Sequence, residues 1–280
     1  MLLELNQLKA ISPTTKTISA HSIRRIIIDT SIVLIHGTNA GSWTMENFHR
    51  YFVQKGFSCH SPVYRHHENP KSEAAHRLLI GTSIADYVED IAKFVKHLNS
   101  KPILIGHSLG GVIAQKIASM DLAQKIILLN GSTNWGIPPT TSQECDLGKM
   151  FMASGKFWED ILLPDFETMV KFGLNKLNLS DQHLVFNRLG PESGRVLFEL
   201  FFWIFDENKT TKIDYEKIKC PILMISGSED LAIPPSTAQL IAKKCNSQTT
   251  LHIAEGYGHY LMLEPKWMNI AKFCYRWITE

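Results

Sequence analysis

The tightest constraint on this chain is the stretch KPILIGHSLGGVIA at residues 101–114. Residues 102–105 form a short apolar run that reads as a buried strand, and Gly106-His107-Ser108-Leu109-Gly110 follows at once as G-x-S-x-G. Gly111, Val112, Ile113 and Ala114 continue into a helix-compatible segment that runs to about Met120. A serine on a sharp strand-to-helix turn has strained backbone angles, so small residues must flank it. The turn lifts the hydroxyl clear of the sheet, and the new helix aims its first N–H groups at the same point. That geometry suits a nucleophile whose attack creates an oxyanion. The plainer alternative is a glycine-rich turn whose serine only caps the helix.

The chain alternates around this stretch. Residues 31–35 form a clear buried strand ending at His36-Gly37-Thr38-Asn39, and an amphipathic helix follows to about Lys55. Residues 57–64 read as the next strand and 65–77 as a polar loop. Ser83 then caps a helix whose Ile84, Tyr87, Val88, Ile91, Phe94 and Val95 recur at three- and four-residue steps. After the serine turn and its helix, residues 125–130 (KIILLN) form another buried strand. This rhythm predicts an α/β fold with a mostly parallel central sheet flanked by helices. Residues 23–28 are a weaker strand candidate.

From 133 to 219 the rhythm breaks. No strand pattern is evident there, and helices are expected over 147–161, 165–176, 180–188 and 193–205. Thirteen aromatic residues fall in this segment, a denser load than the 10% of the whole chain. It reads as an inserted helical cap, or lid, on a core made of 1–132 and 220–280. The sheet resumes at 221–226 (PILMIS), a helix starts at Pro234-Pro235, and 249–254 is the last strand. A closing helix carries Trp267, Ile270, Phe273 and Trp277 on one stripe.

Composition narrows the partners. With 280 residues, 44% hydrophobic and 20% charged, the chain readily supplies a large core, and its net charge of +2 argues against nucleic acid. Its five cysteines are odd in number, widely spaced and free of C-x-x-C or metal-ligand spacing, which suggests reduced thiols. The opening MLLELNQLKA is a poor secretory signal. No apolar run approaches the ~18 residues of a membrane span, so stable membrane insertion is not expected. A cytoplasmic location is therefore the expectation.

A serine needs a base to take its proton and an acid to orient that base. Among twelve histidines, His259 follows a strand end in the glycine-flanked loop Gly256-Tyr257-Gly258, and Asp230 also follows a strand end. Both are thereby expected at the carboxyl edge of a parallel sheet, where ligands bind. Four segments, LIHGTNAGSW, GHSLGG, GSEDLAIP and GYGHYLMLEP, stand in order at successive strand ends. With them the chain resembles the α/β-hydrolase fold family from Ser31 to Glu280, in particular serine esterases and lipases with a helical cap.

The resemblance implies roles residue by residue. Ser108 would be the nucleophile, His259 the general base and acid, and Asp230 the orienting carboxylate, with Glu229 as a substitute acid. The backbone N–H groups of Thr38 and Leu109 would form the oxyanion hole. His36 and His107 are expected to serve packing or loop hydrogen bonds. The cluster of His60, His66 and His67 receives no catalytic role, because Arg65-His66-His67 lacks the glycine expected of that loop in the family. No cofactor or metal is implied. The implied reaction is hydrolysis of a small-molecule carboxylic ester or lactone, such as a macrolide lactone, through an acyl-enzyme. The apolar cap suggests a bulky, weakly charged substrate, with residues 191–205 as the pocket's roof. Glu192 and Arg195 would either touch its polar substituents or pair with the core domain. Acyl transfer, cofactor-free haloperoxidation, C–C bond hydrolysis and non-catalytic ligand binding are the alternatives on the same fold.

Overall fold

The computed structural model describes residues 28–245 and 248–280. The strand candidate at 23–28 falls outside these residues except for Ile28, where the first strand begins. The first half alternates as expected: β1 (Ile28–Ile35), α1 (Glu46–Gln54), β2 (Phe57–His60), α2 (Glu73–Leu79), α3 (Ile84–Lys96), β3 (Ile103–His107), α4 (Leu109–Ser119) and β4 (Lys125–Leu129). The 133–219 segment contributes α5 (Ser142–Ala153), β5 (Ile161–Leu162), α6 (Phe166–Phe172), α7 (Leu179–Phe186), β6 (Glu192–Ser193) and α8 (Gly194–Phe201). Then β7 (Ile222–Gly227), α9 (Pro235–Lys244), β8 (Thr249–Ala254) and α10 (Trp267–Thr279) complete the chain.

Among the described residues six strands form a parallel sheet in the order β2-β1-β3-β4-β7-β8. Their side chains alternate between two cores. Val33, Ile35, Leu104, Ile126, Leu128 and Met224 face one core, shared with α3, α4 and α9. Ile32, Leu34, Ile105, Ile127, Leu129 and Ile225 face the other, shared with α1 and α10. Burial on both faces explains why these strands read as continuous apolar runs instead of alternating ones. Each such side chain contributes roughly 1.5–3 kcal/mol on leaving water. The chain turns to one side after β1 and returns on the other for β3. The crevice between their carboxyl ends is therefore a topological switch point, where this architecture places ligands.

Local signals mark the helix starts. Ser83 and Asp86 form the capping box of α3, and Thr141 with Glu144 does the same for α5. That second box starts α5 at Ser142, before the 147 read from apolar spacing, and the helix stops at Ala153 instead of reaching 161. β2 ends at His60, ahead of Pro62, so the expected strand to Tyr64 is shorter. The polar loop after it gives way to α2, capped by Ser72. The 133–219 segment holds one two-stranded antiparallel ribbon that its sequence does not announce, β5 with β6.

Backbone contact at the serine turn leaves no room for side chains. A Cβ on Gly106 would overlap the Gly110 carbonyl, and one on Gly110 would overlap the Ile35 carbonyl and lie 2.7 Å from that of His36. Gly110→Ala is expected to cost about 3 kcal/mol in urea unfolding, since neither backbone can retreat without moving a sheet strand. A cost below about 0.5 kcal/mol would mean that α4 can slide away from β1.

Candidate active site

Ser108 sits between the last residue of β3 and the first of α4, with φ 51° and ψ −120°. That left-handed φ is costly for a residue with a Cβ and is held by the packing around it. Its hydroxyl opens into a cavity of about 280 Å³, whose lining also includes Thr38 and His259. The β1 loop approaches closely from the other side: a Cβ on Gly37 would lie 3.1 Å from both Ser108 Cβ and His107 Nδ1. Thr38 is thereby held beside Ser108. The Leu109 N–H, at the start of α4, has no intrahelical acceptor by geometry.

Asp230 and His259 stand at the ends of β7 and β8. His259 Nδ1 donates to Asp230 Oδ2 at 2.8 Å. The other carboxylate oxygen accepts the N–H groups of Ala232 at 2.8 Å and Ile233 at 2.9 Å. Asp230 is only 1% exposed, so these three donors replace its water shell. Among the described residues the Ser108 hydroxyl pairs with Ser132 Oγ at 3.1 Å and not with His259. Ser108, Asp230 and His259 thus converge, with the serine turned one partner away from the imidazole. Glu229 is directed elsewhere, to Lys176 at 2.7 Å.

A profile of the Alpha/beta hydrolase family matches residues 32–271. The chain belongs to the alpha/beta hydrolase family. It is similar to an inferred esterase/lipase of Haemophilus influenzae, 24% identical over 251 residues, which are 87% of this chain and 82% of that protein. Its fold is similar to that of a monoacylglycerol lipase from Paleococcus ferrophilus, with TM-score 0.64 and 19% identity over 88% of this chain and 93% of the other. It is also similar to tomato methylketone synthase I in complex with 2-tridecanone, with TM-score 0.69 and 14% identity over 90% and 99% of the two chains.

Beneath the site of this hydrolase lies a polar network in which His36 and His107 make the expected loop hydrogen bonds and Asn130 is the member that sequence reading missed. Asn130 has φ 45°, and its side chain donates to the carbonyls of Gly258 at 2.8 Å and His259 at 2.7 Å while accepting the Gly227 N–H at 2.7 Å. One amide therefore ties the ends of β4, β7 and β8 together. His107 Nε2 donates to the His259 carbonyl at 3.0 Å. His36 donates through Nδ1 to the Gly37 carbonyl at 2.8 Å and accepts the Tyr64 N–H on Nε2 at 3.4 Å. Burial pushes His36 down to about 3, with His67 adding to the effect, and drives His107 well below the usual histidine range. Both are neutral loop-holding residues. The one available sequence signal was a polar residue, Asn130, ending an apolar strand before glycine.

Glu192 and Arg195 do not line the cavity. Glu192 accepts from Tyr87 and from the Asn39 N–H, and Arg195 pairs with Glu199 and the Gly81 carbonyl. The roof expected from 191–205 supplies Leu197 and Phe201, and α5 and α6 add Leu147, Phe151, Met169 and Phe172. His67 faces Glu192 at 3.4 Å, and Arg65 pairs with Asp86 and Asp90. Among the described residues no group of three or more His, Cys, Asp or Glu side chains could hold a metal ion. Nor is any helix there long and apolar enough to cross a membrane.

Glu264 accepts the Gly258 N–H at 2.9 Å, next to His259. Burial pushes its carboxyl from 4.5 up to about 7. The folded state therefore keeps this proton after the unfolded chain has released it, so the group's contribution to stability declines as pH rises from about 4.5 to about 7. Glu264→Gln keeps the acceptor and removes the titration. Urea unfolding of both proteins across that range is expected to show the variant gaining on wild type as pH rises, and a pH-independent difference would show that Glu264 titrates alike in the folded and unfolded chains.

Proposed function

We propose that this alpha/beta hydrolase cleaves carboxylic esters through a Ser108-His259-Asp230 triad. The observation that carries this reading is the 2.8 Å His259–Asp230 hydrogen bond beside a strained serine in the same cavity. Asp230 fixes the imidazole with Nδ1 protonated, which leaves Nε2 free to act as a base. Rotation of the Ser108 hydroxyl from Ser132 toward His259 then completes the relay.

The reaction follows in two halves. Ser108 Oγ forms a bond to the ester carbonyl carbon as its proton passes to His259 Nε2. The oxyanion is held by the N–H groups of Thr38 and Leu109, worth about 3–4 kcal/mol per donor in comparable sites. The C–O bond to the alcohol breaks, and the alcohol leaves with the proton from His259. Water then attacks the acyl-enzyme, giving its proton to His259. Collapse releases the acid and returns the proton to Ser108 Oγ. No cofactor takes part.

The 133–219 segment acts as the cap, and its side chains define the substrate. The acidic side chain on the cavity wall is Asp165, whose carboxylate caps α6 through Thr168, while burial keeps the Tyr260 phenol neutral. With no Lys or Arg among the described lining residues, an anionic substrate would sit uncompensated in apolar surroundings. A neutral, bulky ester fits. Phe201, Ala232 and Ile233 separate this cavity from a second one of about 390 Å³. Ala232 and Ile233 are tied to Asp230 by their N–H groups, so Phe201 is the movable part of the wall.

Two measurements test the reading. On p-nitrophenyl esters of graded chain length, Ser108→Ala and His259→Ala are each expected to lower kcat by ~10⁴ or more. Retention of activity by Ser108→Ala would remove Ser108 from the mechanism. Phe201→Ala is expected to raise the ratio of long-chain to acetyl kcat/KM by roughly 10-fold, the value of one or two added methylene contacts. An unchanged ratio would place the acyl chain outside the second cavity.

A further inference from the structure

The loop that carries Thr38 is gripped from the 133–219 segment through the backbone N–H, the carbonyl and the side-chain NH₂ of the next residue, Asn39. Asn39 has φ 58°, a conformation that asparagine tolerates better than most residues. Its N–H donates to Glu192 Oε2 at 3.2 Å, and its carbonyl accepts the Gly190 N–H at 2.9 Å. Its side-chain amide donates to the Gly190 carbonyl at 3.0 Å and, more weakly, to that of Leu162 at 3.5 Å. All of these partners belong to, or directly precede, the β5–β6 ribbon. On the other side of Thr38, Gly37 is packed against Ser108 and His107. The peptide groups of Thr38 are thus fixed from both neighbours, one seated on the core and one on the ribbon.

Glu192 is the centre of the grip. It is completely buried. Oε1 accepts the Tyr87 hydroxyl at 2.7 Å and the Ser193 N–H at 2.9 Å, while Oε2 accepts Asn39 and faces His67 Nε2 at 3.4 Å. The three groups that hydrogen-bond it, the Tyr87 hydroxyl and the Ser193 and Asn39 N–H groups, are all donors, which suits a carboxylate better than its neutral isostere. A glutamine would offer its NH₂ to one pair of donors and lose that side of the contact. Burying such a group is costly unless all its partners are in place. Its role therefore depends on the ribbon lying against the β1 loop.

We propose that Glu192 is a positioning residue for the oxyanion hole, acting through Asn39 to aim the Thr38 N–H, so that the donor is complete only while the ribbon is seated on the core. This deepens the esterase reading and rests on Thr38 being an oxyanion donor. Glu192 does not touch the substrate, and it contributes to the transition state only through the backbone it holds.

The experiment compares wild type, Glu192→Gln and Asn39→Gly on one p-nitrophenyl ester, with inhibition by a trifluoromethyl ketone and by the matching methyl ketone. The first ketone adds Ser108 and presents an oxyanion, whereas the second mainly reports cavity fit. Glu192→Gln is expected to lower kcat about 10–100-fold with KM within about 2-fold. Trifluoromethyl ketone affinity should fall by a similar factor while methyl ketone affinity holds. Asn39→Gly keeps the N–H and the backbone conformation but loses the side-chain grip, so a smaller loss of the same kind is expected. It carries the test should Glu192→Gln fail to fold. Wild-type kcat in both variants, or equal loss for both ketones, would overturn the inference. Wild type inert toward every ester and unreactive with the trifluoromethyl ketone would instead overturn the esterase reading, and this inference with it.

Discussion

The structure depends on a backbone-to-backbone contact. Gly110 opens α4 directly against the last carbonyls of β1, and Gly106 lies under the same turn. Neither contact leaves space for a Cβ, and the strain of the turn is carried by Ser108 in a left-handed conformation. In return, the start of a helix, a hydroxyl and the loop after β1 meet at the point where the strand order reverses. Strand pairing on both sides of β3 holds this geometry, so the hydroxyl is positioned by the sheet and not by a flexible loop.

The proposed acid–base pair, Asp230 and His259, is held by the same logic of filled valences. Asp230 is surrounded by donors, and the carbonyl of His259 is gripped by Asn130 and His107. Burial keeps His36 and His107 neutral, so this network places hydrogen bonds beneath the site without adding positive charge to it. Electrostatic preorganisation of this kind requires groups that do not move as charge develops. Under the proposed mechanism the described network would meet that requirement with side chains from five separate strand ends.

The 133–219 segment divides its labour by polarity. Two of its buried acids face the core: Glu192 meets Tyr87 and Asn39, and Glu199 accepts the Ser83 hydroxyl and the Ile84 N–H at the start of α3. Leu147, Phe151, Phe172, Leu197 and Phe201 line the cavity instead. Such docking is directional, because an unpaired buried carboxylate is expensive, whereas an apolar wall accepts many shapes. The segment can therefore be registered firmly while the cavity above Ser108 stays adaptable.

Much of this was legible in the chain itself. Buried strands announce themselves as apolar runs, and the glycines around Ser108 announce a turn, because both signals are local. The positions of Ser108, Asp230 and His259 at strand ends followed from that pattern, as did the family membership over residues 32–271. The start of α5 was written in Thr141 and Glu144 and overlooked in favour of apolar spacing. Only the tertiary structure could decide the rest. That Glu192 serves Asn39 across 153 residues, that Asn130 joins three strand ends, and that Ser108 rests on Ser132 are long-range pairings of polar groups. Periodicity encodes which face of an element is buried, but it carries no information about which distant donor will meet a buried acceptor.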